Sequence, residues 1–174
     1  LCGVRQEPLS RYVNLFGQLN LSVQAYEPGL FSLFRLLTIR KKIAPQKSYV
    51  ILEFDKEEAN ILVIEKEFPY FTRDIKLVLS AAGPDGHDFD AVLFRLINEV
   101  RVSLDYYRRQ FMKKDVDEML IVSQSSFSGW ADQFSRELGI STHFIATQDL
   151  VGVKGVAEEM LSEMTKGFGA SLRP

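Results

Sequence analysis

The sequence has 174 residues, of which 46% are hydrophobic, and a formal net charge of −2 at pH 7. This length allows one domain or two small lobes with a buried core. The charge argues against a nucleic-acid-binding protein, which normally presents a basic face. The single cysteine excludes a disulfide framework within the chain, and no apolar run reaches the roughly 18 residues of a membrane-spanning helix.

The N-terminal part of the chain is predicted to form two helices. Residues 1–25 are typical of strand, helix and strand, the second strand being the alternating segment LSVQAY. The second helix is predicted from Pro28 to about residue 40, because proline suits a first helical turn. Its residues are apolar on most sides, which is typical of a helix between two layers, so we expect Phe31 and Phe34 to be buried.

The remaining sequence predicts alternating strands and helices. A three-stranded antiparallel meander is expected over 48–79, with its first turn at 55–59 and a third strand at 71–79. A long helix then begins after Asp88, the expected N-cap, and buries a face predicted to contain Leu93, Leu96, Ile97, Val100 and Leu104. The last predicted elements are a strand at 119–123, a helix at 129–138 capped by Ser128, a strand at 143–147 and a helix after Gly155.

The element order from residue 48 is β-β-β-α-β-α-β-α. This order is the layout of one ribonuclease H-like lobe, a layered α/β fold. Two unrelated chemistries use that scaffold: nucleases that hold metal ions with carboxylates, and actin-like nucleotide binders built from two such lobes. Because one fold serves several functions, the order alone leaves both open.

Candidate sites of other classes are weaker. A two-metal nuclease would need converging carboxylates, and Glu53, Asp74, Glu99 and Asp105 are interpreted instead as exposed surface charges. His87 and His143 lack further ligands at zinc-binding spacing. In the segment SQSSFSG the serines lack the pattern of a nucleophile elbow. Trp130, Phe134 and Leu138 are spaced four residues apart, which favours a core-facing helix stripe over a binding site.

The helix sequence LINEVRVSLDYYRRQ resembles that of the type IV pilus assembly protein PilM family, in which E-[IV]-x-R-S-L-x-Y-Y is characteristic. The matching residues are Glu99, Val100, Ser103, Leu104, Tyr106 and Tyr107. The similarity extends upstream through RYVNLFGQLNLSVQAYEPGLFSLFRLL and downstream through MLIVSQSSFSGWADQFSRELGI to KGFGASLRP. The family is actin-like and related to GspL of type II secretion, MshI and FtsA. The resemblance implies three parts: a partial inserted subdomain (1–27), an interlobe helix and linker (28–44) and an actin-like second lobe (45–174).

The two nucleotide loops of that family are altered in this sequence. The family's second phosphate loop reads D-I-G-A-x-T-T-N, and the corresponding residues here are Glu53, Phe54, Asp55, Lys56, Glu57, Glu58, Ala59 and Asn60. The glycine-rich turn near the adenosine, S-G-G-G-x-x-x-P-G, corresponds to Ser123, Gln124, Ser125, Ser126, Phe127, Ser128 and Gly129. Carboxylates have replaced small donors that would face phosphates, and side chains have replaced glycines. We therefore expect a degenerate, inactive nucleotide site with no cofactor.

The resemblance implies a non-catalytic scaffold of a type IV pilus or a related inner-membrane secretion platform. Its partner would be a membrane-anchored PilN-like protein, together with other platform components, and its location the bacterial cytoplasm beside the inner membrane. The chain is expected to begin inside a larger protein whose N-terminal lobe carries the first phosphate loop. Two alternatives remain open: an actin-like protein that still binds or slowly hydrolyses ATP with Mg²⁺, and a ribonuclease H-like metal-dependent enzyme.

Overall fold

The fold is a mixed β-sheet with helices on both faces, seen in a computed structural model that describes residues 6–54, 58–77, 87–112, 115–123, 127–152 and 158–173. The strands are β1 (Ser48–Phe54), β2 (Glu58–Glu65), β3 (Phe68–Lys76), β4 (Glu118–Ser123) and β5 (Ser141–Ala146). The helices are α1 (Gln6–Gln18), α2 (Gly29–Ile39), α3 (His87–Phe111), α4 (Trp130–Leu138), α5 (Thr147–Val151) and α6 (Glu158–Ser171).

The sheet has the strand order β3-β2-β1-β4-β5 within the described residues. Strands β1, β2 and β3 pair antiparallel, whereas β4 pairs parallel to both β1 and β5. The predicted meander and α/β lobe layout are therefore confirmed. Strand β3 begins at Phe68 instead of residue 71, because Lys66 and Glu67, both at positive φ, make a tight turn directly after β2.

Strand β1 lies between β2 and β4, and all seven of its residues are buried. Alternate residues of a strand point to opposite faces of the sheet. Val50, Leu52 and Phe54 therefore belong to the core beneath α3 and α4, whereas Tyr49 and Ile51 belong to the core beneath α2. The sheet thus separates two apolar cores.

The two helices that were predicted to be buried differ in outcome. On α3, the five predicted core residues are all buried, which confirms the helical phase. On α2, the prediction that Phe31 and Phe34 are largely buried is met only in part, because both are half-buried against the second core. The sheet and α6 cover the side of α2 that contains Leu33 and Leu36. The two phenylalanines instead line an open groove beside Pro69.

Four local predictions are wrong. The segment 21–26 is not a strand and pairs with no described strand, and its Leu21 side chain is exposed. Asp88 lies inside α3, which begins at His87. Gly129, not Ser128, is the N-cap of α4, and no side chain caps that helix. The short helix α5 follows β5 where only a connection was expected. These features depend on tertiary neighbours or on single hydrogen bonds, which periodicity does not report.

Candidate functional site

The two altered loops of the sequence leave the same edge of the sheet. Strands β1 and β4 run parallel, and their last residues, Phe54 and Ser123, are register partners. Ligands of α/β proteins bind at the carboxyl ends of parallel strands. Parts of both loops lie outside the described residues: Asp55, Lys56 and Glu57 in the first loop, and Gln124, Ser125 and Ser126 in the second. Glu53, Glu58, Asn60, Ser123 and Gly129 are described.

A cavity of about 640 Å³ opens beside this edge, on the face of the sheet that carries α2 and α6. Three predicted site residues line it, namely Glu53, Glu58 and Asn60. We call this cavity the cleft. Its other lining residues come from the N-terminal segment, β3 and α6: Leu9, Tyr12, Tyr26, Glu27, Pro28, Gly29, Leu30, Thr72, Asp74 and Lys166.

Glu53 forms the floor of the cleft. It is only 7% exposed, so its interpretation as a surface carboxylate is wrong. The physical reason is the central position of β1, which places this side chain between neighbouring strands and beneath α6. Lys166 Nζ lies 3.0 Å from Glu53 Oε1, and Asn60 Nδ2 donates a hydrogen bond of 3.2 Å to Glu53 Oε2. Each carboxylate oxygen therefore has a partner, as a buried charge requires.

A second, half-buried carboxylate, Glu27, lies just before the start of α2. Arg35 donates to both of its oxygens, at 2.6 Å each, in the bidentate geometry typical of arginine–carboxylate pairs. Arg35 also donates to the backbone oxygen of Gly169 at 3.0 Å, which connects α2 to α6. The hydrogen bonds that Arg35 donates to Glu27 lower the pKa of Glu27 and raise the pKa of Arg35.

We expect the Glu27–Arg35 pair to make stability depend on acidic pH. Because the pKa of Glu27 is lowered from its ordinary 4.5 in the folded state, the pair contributes fully above that value. The contribution disappears as the pH falls through the folded-state pKa. Chemical unfolding at several pH values should show that Glu27→Gln is less stable than the unmodified protein near pH 7 and that this difference shrinks below about pH 4.5.

A matched control is Glu137→Gln, which removes a longer and more exposed ion pair with Arg101 (3.5 Å). Exposed pairs contribute little, so this variant should follow the unmodified protein at every pH. A stability difference between Glu27→Gln and the unmodified protein that stays constant down to pH 3 would contradict the role given to Glu27.

The second loop begins at a buried residue and ends at an exposed glycine. Ser123 is buried at the end of β4, and Gly129 adopts positive φ (81°) as the N-cap of α4. Between the sheet and α4, the Phe127 ring stacks on Trp130 with centroids 4.4 Å apart, and Phe54 lies 5.5 Å from both rings. Trp130 is thus a core residue, as its spacing predicted.

The carboxylates of the nuclease alternative do not converge within the described part of the chain. Glu53 and Asp74 line the cleft, whereas Glu99 and Asp105 belong to α3, which packs on the opposite face of the sheet. Glu99 pairs with Arg73 at 2.6 Å, and Asp105 pairs with its helix neighbour Arg108. Among the described residues, no group of three or more histidines, cysteines or acidic residues can hold a metal ion.

Sequence reasoning missed three residues that shape the cleft: Lys166, Arg35 and Glu27. The spacing of Glu27 and Arg35, across the start of α2, was a detectable signal for a local ion pair. Lys166 gave no comparable signal, because its partner Glu53 is distant in the chain and the contact depends on how α6 crosses the sheet.

The sequence matches no protein-family profile, and no curated protein is significantly similar to it. Solved structures, in contrast, share its fold. A PilM–PilN type IV pilus biogenesis complex matches with a TM-score of 0.65 and 18% identity, over 97% of this chain and 57% of the matched chain. An archaeal actin homologue matches with a TM-score of 0.58 and 14% identity, over 84% of this chain and 56% of its own.

The ethanolamine utilization protein EutJ from Carboxydothermus hydrogenoformans matches with a TM-score of 0.51 and 13% identity, over 82% of this chain and 57% of its own. This chain has an actin-like fold. The ribonuclease H-like, actin-like lobe predicted from the element order is thereby confirmed. The chain spans little more than half the length of each of these structures. In the described residues, no helix is long and apolar enough to cross a membrane.

Proposed function

We propose that this protein is a non-catalytic, actin-like scaffold of a type IV pilus or a related inner-membrane secretion platform. Two observations support the pilus assignment: the similarity of the fold to a PilM–PilN complex, and the resemblance of the α3 sequence to the PilM family. The proposed partner is a membrane-anchored PilN-like protein, which would keep the scaffold at the cytoplasmic side of the inner membrane.

The observation that carries the non-catalytic role is the ion pair between Lys166 and the buried Glu53. At the edge where an actin-like nucleotide site would hold phosphates, Glu53 stands where the family has an aspartate, and its countercharge comes from the chain itself. The loop that follows adds Asp55, Glu57 and Glu58 in sequence. At separations of about 4 Å, each contact between a carboxylate and a phosphate costs about 1–4 kcal/mol, depending on the local dielectric.

The alternative that the protein still binds ATP is favoured by the cleft itself, which is large and contains a lysine. Lysine is a common phosphate ligand. In this cleft, however, its ammonium already faces Glu53, so a phosphate would have to compete with a buried carboxylate. A Mg²⁺ ion held by Asp55 and Glu57 could convert repulsion into a bridge, although without the backbone donors that normally fix phosphates.

We expect the full-length protein to bind ATP no more tightly than about millimolar, even with Mg²⁺, because the acidic loop repels the triphosphate. Calorimetric titration with ATP and Mg²⁺ tests this. A parallel titration uses the triple variant Asp55→Gly, Glu57→Ser, Glu58→Thr, which restores a small, neutral loop. Weak binding by the unmodified protein and tighter binding by the variant would fit a degenerate site.

Micromolar binding by the unmodified protein would overturn the non-catalytic assignment. The double variant Glu53→Gln, Lys166→Met then separates the two roles of the lysine: a phosphate-binding lysine predicts weaker ATP binding in this variant, whereas a lysine that only neutralises Glu53 predicts no loss. For the scaffold role, the full-length protein is titrated with the cytoplasmic tail of the PilN-like protein from the same organism. Absence of binding at 100 µM tail (roughly the weak end of signalling contacts) would contradict the proposed partner.

A further inference from the structure

The side chain of Lys166 extends from α6 into the cleft. Its aliphatic part crosses Gly29 so closely that a Cβ at position 29 would lie 2.8 Å from Lys166 Cδ. Its ammonium then reaches Glu53 at 3.0 Å. The side chain of Lys166 is only 32% exposed and that of Glu53 only 10%, so solvent screens the pair weakly. Two elements that are distant in sequence, α6 and β1, are therefore joined by one partly buried ion pair.

The surroundings of this pair leave little choice of countercharge. The strand neighbours of Glu53 on the same side are Asn60 and, one strand further, Asp74, since Asn60 pairs with both positions. Arg35, which pairs with the cleft residue Glu27, donates its hydrogen bonds to Glu27 and to the backbone oxygen of Gly169. Among the described residues that line the cleft, Lys166 is the only cation. Without it, Glu53 would be a buried charge with no cation among the described residues that line the cleft.

We propose that Lys166 is a tethered cation that occupies the floor of the cleft, so that the lobe keeps α6 closed on the sheet without an external ligand. This inference deepens the proposed scaffold function and rests on it in part, because it explains how a nucleotide-free lobe keeps a defined shape. It also defines what can enter the floor: a group that displaces Lys166 from Glu53 must be a cation, either a primary ammonium or a metal ion.

The energetic argument is the asymmetry of buried ion pairs. Removing one partner leaves the other as an uncompensated buried charge, which is strongly destabilising, whereas removing both is far less so. Lys166→Met keeps the apolar length that covers Gly29 and removes only the charge. Glu53→Gln keeps the size of the side chain and its hydrogen bond with Asn60. The double variant removes both charges, so these three variants and the unmodified protein form a double-mutant cycle.

The test measures the melting temperature of these variants in the full-length protein. We expect Lys166→Met to lower it by roughly 3–8 °C and to have little effect in the Glu53→Gln background. Hydrogen exchange in α6 should rise in Lys166→Met and return towards the unmodified level in the double variant. Equal losses in both backgrounds would show that Lys166 acts through packing alone and would overturn the proposal.

Chemical rescue provides a second, independent readout. Lys166→Ala leaves room for a small ammonium, so 50 mM propylammonium chloride (about the concentration needed for a weak, millimolar site) should raise its melting temperature. The same salt should not stabilise Lys166→Ala with Glu53→Gln, and tetramethylammonium, which cannot donate hydrogen bonds, should not stabilise either. Equal effects of both salts on both variants would overturn the proposal.

The outcomes distinguish this inference from the proposed function. Tight ATP binding by the unmodified protein, with the charge coupling and amine rescue intact, would remove the scaffold assignment and leave the tethered cation. Weak ATP binding without the charge coupling and the amine rescue would remove the tethered cation and leave the scaffold assignment. Lys166→Arg, which keeps the charge but changes the donor geometry, should retain more of the stability than Lys166→Met.

Discussion

Gly169→Ala is expected to destabilise the protein by about 3 kcal/mol, at the upper end of the usual cost of overpacking. A Cβ at position 169 would lie 2.1 Å from the backbone oxygen of Ser32 and 2.7 Å from its carbonyl carbon. These are backbone atoms of α2, so relief requires one helix to move away from the other. That movement would also lengthen the hydrogen bond from Arg35 to the Gly169 oxygen and loosen Leu33 and Leu36 on the sheet.

The matched control is Gly167→Ala, two residues earlier in the same helix. Position 167 is exposed, and a Cβ there would meet no atom within 4 Å. Since alanine favours helix over glycine by about 1 kcal/mol, this variant should be neutral or slightly more stable. Urea unfolding of both variants measures the contrast. Equal stabilities of the two variants would contradict the close approach of α2 and α6.

Local periodicity was sufficient to predict most of the sheet and the long helix. The boundaries of β1 follow from its unbroken apolar run, and the phase of α3 follows from apolar residues at positions such as Leu93, Leu96 and Val100. In β1 the pattern comes from burial on both faces of the sheet, and in α3 it comes from burial of one helix face against the sheet. The strand predicted at 21–26 is wrong for the converse reason, since its alternation has no described strand to pair with.

The cleft was only partly predictable because its decisive contacts are long-range. The sequence indicated which loops meet at the carboxyl edge, and the register of Phe54 with Ser123 agrees. It did not indicate that Glu53 is buried, because a charged residue near the end of a strand usually faces solvent. Glu53 is buried because α6 lies above it and places Lys166 within 3.0 Å of its carboxylate. No local sequence pattern encodes this contact.

The same contacts connect fold and function. In the described part of the chain, α6 is attached to α2 through the close approach at Gly169 and to β1 through Lys166. Both attachments use groups of the chain itself. We propose that a lobe held together in this way keeps its shape without a bound phosphate, and this is the physical basis of the scaffold proposal. ATP titration and the double-mutant cycle test the two halves of that argument separately.

Leu96→Ala should lower the free energy of unfolding by about 2–5 kcal/mol, because truncating a buried leucine removes apolar contacts and leaves a cavity. Leu96 is fully buried in the core between α3 and the sheet, where Val50 and Leu52 of the central strand also lie. The central strand cannot move to fill the space without disturbing its pairing with β2 and β4. We therefore expect the cost to lie in the upper half of that range.

The control is Phe94→Ala on the same helix, which removes a larger side chain from a position that is 67% exposed. If burial rather than side-chain size determines the cost, the smaller truncation at Leu96 must be the more damaging one. Surface substitutions of this kind usually change stability by less than about 0.5 kcal/mol. Urea unfolding of both variants measures this difference in stability. A loss of stability in Phe94→Ala comparable to that in Leu96→Ala would mean that this face of α3 is covered in the native protein.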